Sequence, residues 1–403
     1  MKLRVLFALW LVIIFCGCKK LGTPFFEISQ TEFNIAGDIT TFTIDLQSNC
    51  DWIVSSDAQW CTPRRGLNSI LLTLTFNNDV RRVANLTLSY NGVVKLLTIV
   101  QEKYVYNLPV VFHILYNNMA NPNEYVMQGR IAKIIEGCNK YYRDMNIEVQ
   151  LVAAKKDPQG NILKEPGVNR VKVENSVIDA IALMSGNSVT NRNLIWNVDA
   201  YVNVLVYTFS NNTLLGISHM PYTLDSNPLD GLSSLNFTPK YSNLKYPYCI
   251  SLNNAYIYRE KQDAKYKSLD SETTMAHELG HYIGLFHVFL DERDNFNSHK
   301  DSDYCADTPC YIRSEYVKAI KENFVGCNIN EFLQRTDCYG NVFISDNIMD
   351  YEYGYLNTFT KNQHNRMRHV LNYSPLIPGP KIGRTKIDNF NNEPLDLPIR
   401  FIK

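Results

Sequence analysis

The stretch His277–His287, HELGHYIGLFH, decides the fold of the second half of the chain, because it spaces three histidines by four and then by six residues. Each residue of an α-helix turns by about 100°, so His277 and His281 project from one face, where two imidazoles can share a metal ion. Six further residues of unbroken helix would turn His287 to another face and carry it about 9 Å along the axis. The helix is therefore predicted to end between them at Gly284, since glycine adopts the left-handed conformation that ends helices.

Three neutral imidazoles leave one open position on a tetrahedral Zn²⁺, which is the arrangement of a catalytic zinc site. Glu278 follows the first ligand and is expected to point toward the water at that position, so it suits the role of general base. The full pattern HExxHxxGxxH is specific, because each added residue has a geometric role. The competing interpretation is an amphipathic core helix with incidental histidines, which Ile283, Leu285 and Phe286 would suit.

The composition bounds the domain count and the partners. With 403 residues, of which 45% are hydrophobic and 12% aromatic, the chain can bury one large core or two moderate ones, and two domains are expected. Forty basic and forty acidic residues give a formal net charge of zero. No overall field attracts nucleic acid, so no DNA or RNA partner is predicted.

The N-terminus, MKLRVLFALWLVIIFCGCKK, has two basic residues followed by an apolar run that is too short to span a bilayer. This pattern predicts a lipoprotein signal peptide over residues 1–17 and export of the chain. Phe15-Cys16-Gly17-Cys18 resembles a bacterial lipobox, in which Cys18 is acylated and anchors the protein to the cell envelope. The outer membrane is expected, with its face left open. The alternative is an ordinary cleaved signal with an incidental cysteine.

Ten cysteines in an exported chain favour disulfides. Four of them follow the histidine motif in a loop-rich stretch, and their spacing alone allows three connectivities: Cys305, Cys310, Cys327 and Cys338. A second candidate pair is Cys50 with Cys61. Cys138 lies in a helical pattern and Cys249 in a strand-like run, so both are expected to be buried thiols.

Residues 24–103 predict an all-β, Ig-like antiparallel sandwich, because four segments alternate apolar with polar positions between turn signals. The segments are TTFTIDLQS, SILLTLTFNN, ANLTLSYNG and VVKLLTIVQE. Together with Trp52 and Trp60 around a turn, they resemble the BACON domain of exported Bacteroidetes proteins. That resemblance implies glycan or mucin binding, or a spacer role. The spacer is favoured, because the two tryptophans suit a core better than a sugar platform.

Residues 107–375 alternate strands with helices, which predicts an α/β (α+β) domain with a mixed sheet and the histidine helix packed behind it. The expected strands are LPVVFHILYN, IEVQLVAA, YVNVLVYTF, LLGISHMPYT and YPYCISLNN, with a helix within residues 124–144. His113 is predicted to be a hydrogen-bonded core histidine. His219 is expected to face solvent on an edge strand that lines the cleft, and an unpaired edge of this kind accepts an extended peptide.

The end of the chain has a different composition. Five prolines occur in the last 30 residues. The tail at residues 376–403 is therefore expected to wrap the surface without regular structure.

The segment Asn347–Tyr351, NIMDY, joins a thioether and a phenol in one tight turn. With this segment the chain resembles the metzincin metallopeptidases, and within them the pappalysin and cytophagalysin family, as a Bacteroides-type metalloproteinase lipoprotein. The matching pieces occur in the family's order: LPVVFHILYN, LLGISHMP, TMAHELGHYIGLFHVF, CADTP, NIMDY and FTKNQHNRM.

The resemblance implies a role for each matched residue. It makes Met349 the Met-turn residue beneath the metal, Tyr351 a hydrogen-bond donor to the reacting carbonyl, and Glu278 the general base. The implied zinc ligands are His277, His281 and His287.

The same resemblance extends to the loop after the motif. It implies a structural Ca²⁺ near Asp303, Asp307 and Thr308, for which a solvated acidic loop is the alternative. It also favours a bridge from Cys305 to Cys338, which leaves Cys310 with Cys327. Family members often carry a cysteine just after the Met-turn, and YEYGYLNTF has none. No substrate preference is therefore carried over.

These features predict an exported, lipid-anchored zinc metalloendopeptidase that hydrolyses protein or peptide. The rival function is a glycan-binding, adhesin-like lipoprotein with an inactive peptidase domain, against which the intact HExxHxxGxxH and its tyrosine argue. A third interpretation is a zinc-dependent amidase that acts on a non-protein substrate.

Overall fold

The computed structural model describes residues 23–77, 79–186, 189–260, 270–291, 302–322, 329–351, 354–382 and 399–401. The predicted signal peptide, Cys18 and Cys327 lie outside these residues. The chain divides into an N-terminal unit, Met1–Tyr104, and a C-terminal unit, Val105–Lys403. Among the described residues, no helix has both the length and the apolar character needed to cross a membrane.

The described part of the N-terminal unit is built from strands. They are β1 (Phe26–Glu27), β2 (Glu32–Ile35), β3 (Thr41–Asp45), β4 (Gln47–Ser48), β5 (Ile53–Ser56), β6 (Cys61–Arg65), β7 (Ser69–Leu74), β8 (Arg82–Tyr90) and β9 (Val93–Gln101). One sheet has the order β2-β9-β8-β5, a second has the order β3-β7-β6, and β1 pairs with β4. The all-β character expected from the alternating segments is therefore confirmed, whereas an Ig-like topology stays a prediction.

One apolar core fills the space between these two sheets. Leu86 and Leu88 of β8 face it from one sheet, and Ile70 and Leu72 of β7 face it from the other, all without exposed surface. Trp52 is also fully buried in this cluster. The alternation of polar and apolar residues thus places one face of each strand inward, as the period of two requires.

Two details of the N-terminal unit differ from the sequence prediction. Strand β2 pairs with β9 in parallel, so the sandwich is not wholly antiparallel, and the amide of Thr98 donates to the carbonyl of Thr31 at the start of that pair. Cys50 and Cys61 are free thiols rather than a disulfide. The Cys50 thiol instead donates to the Phe25 carbonyl at 3.3 Å.

The C-terminal unit mixes strands with helices. Its strands are β10 (Tyr106–Tyr116), β11 (Val149–Ala153), β12 (Val168–Lys172), β13 (Val177–Ile178), β14 (Val202–Phe209), β15 (Gly216–His219), β16 (Thr223–Leu224), β17 (Ser234–Leu235), β18 (Ile250–Asn253), β19 (Phe289–Leu290), β20 (Tyr311–Ile312), β21 (Gln334–Thr336), β22 (Val342–Ile344) and β23 (Ile399–Phe401). Its helices are α1 (Pro122–Tyr125), α2 (Arg130–Asp144), α3 (Ala180–Ser185), α4 (Val189–Arg192), α5 (Ser271–Tyr282), α6 (Arg313–Glu322), α7 (Ile329–Leu333) and α8 (Lys361–Tyr373).

The main sheet of this unit has the order β11-β10-β14-β18-β15-β23. Strands β11, β10, β14 and β18 are parallel, whereas β15 runs antiparallel to β18. The near-continuous burial of β10 and β14 is typical of parallel strands covered on both faces. Helix α5 packs against β15 and β18, and α2 packs against α5. The predicted mixed sheet with the histidine helix behind it is therefore confirmed at this coarse level.

Two predictions about the edge of this sheet are wrong. The tail was expected to lack regular structure, yet Ile399–Phe401 pairs antiparallel with β15, because an edge strand offers unpaired N–H and C=O groups to any extended segment. His219 is fully buried rather than facing solvent. Its ring nitrogens lie 3.2 Å and 3.1 Å from the carbonyl oxygens of Cys249 and Met184. Burial lowers the pKa of His219 to about 4.

The other buried positions agree with the sequence prediction. His113 has no exposed surface, and its Nε2 lies 2.9 Å from Asn203 Oδ1. Burial lowers the pKa of His113 to about 4. Cys138 and Cys249 are both buried free thiols, as expected.

Candidate metal centre

Helix α5 carries two of the predicted ligands, His277 and His281, and begins at a side-chain cap. Asp270 Oδ1 accepts a hydrogen bond from the Thr273 amide at 2.7 Å, which satisfies one of the free N–H groups of the first turn. Every residue of the helix except Glu272 is buried. A helix enclosed in this way holds its side chains in fixed positions, as a metal site requires.

The helix ends where the histidine spacing requires it to end. Its last residue is Tyr282, and Gly284 has a φ of 98°, in the left-handed region that favours glycine. The Gly284 amide donates to the His281 carbonyl and the Leu285 amide donates to the Gly280 carbonyl, each at 2.9 Å. These two bonds are the Schellman arrangement. A Cβ on Gly284 would also lie 2.6 Å from Val370 Cγ2, so this position has no room for a side chain.

The turn brings the three histidines together. The Nε2 atom of His281 lies 3.0 Å from Nε2 of His277 and 3.0 Å from Nε2 of His287, and one ligand atom from each lies within 4.8 Å of the others. Nitrogens bound to one tetrahedral zinc at about 2.0 Å are roughly 3.3 Å apart. The spacing of these nitrogen atoms therefore fits a shared metal ion.

Backbone carbonyls fix the orientation of two of these rings. His277 Nδ1 lies 2.7 Å from the Ile348 carbonyl oxygen, and His281 Nδ1 lies 2.8 Å from the Leu285 carbonyl oxygen. Because a carbonyl only accepts, each Nδ1 must carry the proton, which leaves a lone pair on Nε2 for a metal. Burial lowers the pKa of His277 to about 4, so its ring is neutral at physiological pH.

Glu278 is the group whose burial most needs an explanation. It has no exposed surface, and neither carboxyl oxygen has a hydrogen-bond partner among the described residues. Burial raises the pKa of this carboxyl well above its ordinary value. An unsatisfied buried carboxyl costs free energy. A ligand that reaches this carboxyl would supply the missing partner.

Gly216 makes room for that carboxyl, and sequence reasoning gave it no role. A Cβ at this first residue of β15 would lie 2.7 Å from Glu278 Oε1. A glycine within a strand pattern is a sign that something approaches the backbone closely. Gly216 in the strand pattern LLGISHMP was therefore a local sign that another group approaches this strand closely.

Met349 lies directly beneath the helix. A Cβ on Gly280 would be 2.6 Å from Met349 Sδ, so the thioether fits because residue 280 is glycine. The Met349 amide donates to Asn347 Oδ1 at 2.9 Å, which holds the turn. Tyr351 is 7% exposed, and its ring centroid lies 4.5 Å from that of His287. The structure thus brings both predicted residues next to the histidines.

Asp350, between these two residues, is the centre of a buried polar network. Its carboxylate accepts hydrogen bonds from the hydroxyl groups of Tyr311 and Ser345 and, at 2.7 Å, from the Tyr351 amide. Arg335 Nε lies 3.8 Å away. Burial raises the pKa of Asp350, and Arg335 opposes that shift. Sequence reasoning missed this network, because no local pattern links residues 311, 335 and 350.

The residues of the predicted calcium site have other partners in the described part of the loop, and calcium binding stays a prediction. The Asp303 carboxylate is buried and accepts from the Thr308 hydroxyl at 2.8 Å and 3.0 Å. Asp307 is exposed, and its carboxylate accepts from the Asn362 amide at 2.9 Å, in the first turn of α8. The acidic groups are therefore used separately, one within its own loop and one at a helix N-terminus.

The cysteine prediction also changes. The described structure brings Cys338 next to Cys310, with their Sγ atoms 3.5 Å apart, rather than supporting the favoured bridge from Cys305. The amide of Cys338 donates to the carbonyl of Cys310 at 2.8 Å, which aligns these two segments. Cys305 is fully buried, and Cys327 is not among the described residues.

Comparisons with known proteins bear on this site. The family model of peptidase M43, described as pregnancy-associated plasma protein-A, matches residues 186–372. An extracellular metalloprotease from Arthroderma otae is 56% identical over 36 residues, which are 9% of this chain and 12% of that protein. The match therefore spans a small part of that relative. A Bacteroides ovatus GH5 xyloglucanase structure is 12% identical, with a TM-score of 0.19 over 50% of this chain and 48% of its own, which carries no argument about fold.

Proposed function

We propose that the chain is a zinc-dependent endopeptidase, and that residues 186–372, which match the peptidase M43 family model, form a metallopeptidase domain of the pappalysin type. The observation that carries the proposal is the meeting of three imidazole Nε2 atoms at the end of a helix whose Glu278 carboxyl is buried without a described partner. Three neutral nitrogen donors with an open fourth position are the chemistry of a catalytic zinc site. The proposed ligands are His277, His281 and His287.

Zinc bound by these residues supplies Lewis-acid chemistry, because it lowers the pKa of a water molecule and polarises the scissile carbonyl. Glu278 accepts the proton of the attacking water and later donates it to the leaving amine. Its raised pKa, caused by burial, suits a group that must hold that proton between the two steps.

Tyr351 is proposed to donate a hydrogen bond to the carbonyl oxygen as negative charge develops there. Its ring lies close to His287, which supports this role. A contact of this type commonly contributes about 3 kcal/mol. Met349 and the two carbonyl groups that accept from His277 and His281 are positioning groups rather than reacting groups.

The proposed setting is outside the cytoplasm. The signal-like N-terminus, the lipobox at Cys18 and the relative described as extracellular support an exported, lipid-anchored protein that acts on protein or peptide substrates. The N-terminal unit is proposed to be a spacer, because Trp52 has no exposed surface and cannot stack on a sugar. Trp60 lies beneath Arg82, whose guanidinium carbon is 4.4 Å from the indole centroid.

The direct test replaces Glu278 with glutamine. Glu278→Gln should retain zinc and lower cleavage of an unfolded protein by about 10³-fold, because the proton acceptor is lost. The matched control is Glu136→Gln, which makes the same change on an exposed carboxylate of α2 and should leave cleavage unchanged. Zinc content by atomic spectroscopy and cleavage by mass spectrometry are measured together. A zinc-loaded Glu278→Gln protein with full activity would refute the proposal. If the unmodified chain binds glycan and cleaves no protein, the adhesin-like rival function would be favoured.

A further inference from the structure

The outer edge of strand β15 is occupied by a segment of the same chain. Strand β23 pairs with it antiparallel, with Ile217 opposite Phe401, Ser218 opposite Arg400 and His219 opposite Ile399. The other edge of β15 is paired with β18. The strand thus has backbone partners on both sides.

This edge lies beside the catalytic carboxyl. Gly216, the residue just before the paired ones, is the position at which a Cβ would lie 2.7 Å from Glu278 Oε1. Since β23 runs antiparallel, it advances from His219 toward Gly216, and its Phe401 end is the one nearest to the carboxyl. An extended chain on this edge therefore runs toward the atoms proposed to perform hydrolysis.

The direction of the backbone groups on β15 can be derived from its inner pairing. The His219 amide donates to the Cys249 carbonyl on the β18 side at 3.2 Å. Because successive residues of a strand direct their N–H and C=O groups to opposite edges, those of Ser218 face outward, toward Arg400 of β23. Ser218 is thus the residue through which this edge holds an added strand.

We propose that the segment Ile399–Phe401 is a competitor within the chain, which occupies the outer edge of β15 where an extended peptide would add a strand. A substrate peptide then has to displace this segment before it reaches Glu278. The proposal rests on the proposed function, since it treats the same edge as the place where a substrate adds a strand. It goes further by assigning a competitor within the chain.

The pairing has the properties of a displaceable competitor. Among the described residues it spans three pairs, and a short ladder at the edge of a sheet opens locally far more readily than a central strand. Attachment to the same chain gives the segment an effective concentration of about millimolar. A substrate with a longer ladder on the edge would overcome this competition, whereas a short peptide would be excluded.

The experiment compares the full chain with a chain that ends at residue 382 and with Arg400→Pro. Proline has no N–H and is excluded from the middle of a ladder, so Arg400→Pro removes the donor opposite Ser218 while keeping the length. Both changes should lower KM for a short peptide substrate several-fold and leave kcat unchanged. The second variant keeps the test valid if the shortened chain folds poorly.

Adding the segment back provides the matched control. The peptide of residues 395–403, LDLPIRFIK, should inhibit the shortened chain competitively, and a scrambled peptide of the same composition should not. Unchanged KM in both variants, together with equal effects of the two peptides, would overturn the proposal.

Amide hydrogen exchange separates this proposal from the proposed function. In the full chain the Ser218 amide should exchange slowly, and Arg400→Pro should accelerate its exchange by tenfold or more, whether or not the protein cleaves peptides. If the chain shows this acceleration but has no peptidase activity, the occupancy of the β15 edge is supported and the proposed function is refuted. If the Ser218 amide exchanges equally fast in the full chain and in Arg400→Pro, the proposed occupancy of the β15 edge is overturned.

Discussion

One buried carboxyl group distinguishes the described part of the C-terminal unit from that of the N-terminal unit. In the N-terminal unit, the buried Asn77 and Gln101 side chains donate to backbone carbonyls, at 2.8 Å and 3.1 Å to Val80 and Ile39 respectively. In the C-terminal unit, Glu278 is buried with no described partner. Polar groups that only support a fold are satisfied within it. A carboxyl group costs more to bury without a partner than a hydroxyl group does, so Glu278 indicates a site that a ligand completes.

The largest effect expected from a single substitution comes from breaking the turn that brings the histidines together. Gly284→Ala would combine left-handed backbone strain with a Cβ 2.6 Å from Val370 Cγ2. Strain of about 1–2 kcal/mol and overpacking of similar size should lower the free energy of unfolding by roughly 3 kcal/mol. Zinc occupancy should fall as well, because His287 follows this turn. Thermal denaturation and metal analysis measure the two losses.

The control for that change lies in the N-terminal unit. Gly92 has a φ of 82°, but no atom lies within 4 Å of its Cβ position. Gly92→Ala should therefore cost about 1 kcal/mol through strain alone and leave zinc occupancy unchanged. If both variants lose equal stability and keep their zinc, the contact with Val370 and the role of the turn are both refuted.

The next prediction concerns the stability of the C-terminal unit at acidic pH. His113 and His219 are buried with pKa values lowered to about 4, and residues 1–104 contain no histidine. These two rings bind protons more weakly in the folded state than in the unfolded state. The stability that depends on neutral rings is therefore complete above pH 6.5 and is lost as pH falls toward 4. Each histidine should cost the C-terminal unit roughly 3 kcal/mol over this range.

Hydrogen exchange from pH 7 to pH 4, assigned to each unit, measures this difference. The C-terminal unit should lose protection first, and His113→Gln should make its stability less dependent on pH by about one proton. An identical pH dependence in the two units would show that the buried rings do not govern acid stability.

The smallest effect concerns kcat rather than stability. Gly216→Ala adds a methyl group that displaces the Glu278 carboxyl, and a small misplacement of a reacting group costs about 10- to 100-fold in rate. Steady-state kinetics and thermal denaturation should show lower kcat with little change in Tm. Gly66→Ala is the matched control, since its Cβ would displace the Ser69 hydroxyl group in the N-terminal unit. Equal losses of kcat in the two variants would count against the role of Gly216.

The parts of the molecule that the sequence predicts well are those set by local geometry. The spacing of His277, His281 and His287 requires a helix break, and the alternating segments require strands with one buried face. These patterns operate within about ten residues, so they can be recognised without knowledge of the fold. The mixed sheet follows from the order of strand and helix patterns.

The parts that the sequence does not predict depend on distant partners. Residues 217 and 401 pair across more than half of the unit, and no periodicity encodes that register. His219 was expected to face solvent because its strand was treated as a free edge. The network around Asp350 likewise joins three segments that share no motif. Gly216 did carry a local signal, but its meaning depends on the carboxyl that lies against it.

Zinc K-edge X-ray absorption on the purified full chain tests the central claim most directly, because it counts the nitrogen ligands of the bound metal. We expect one zinc per chain with three imidazole ligands, and His287→Ala should reduce the imidazole count to two and weaken zinc binding. An unchanged count of three in His287→Ala, or a zinc held by other residues in the unmodified chain, would contradict the proposal that the turn at Gly284 brings three histidines to one metal.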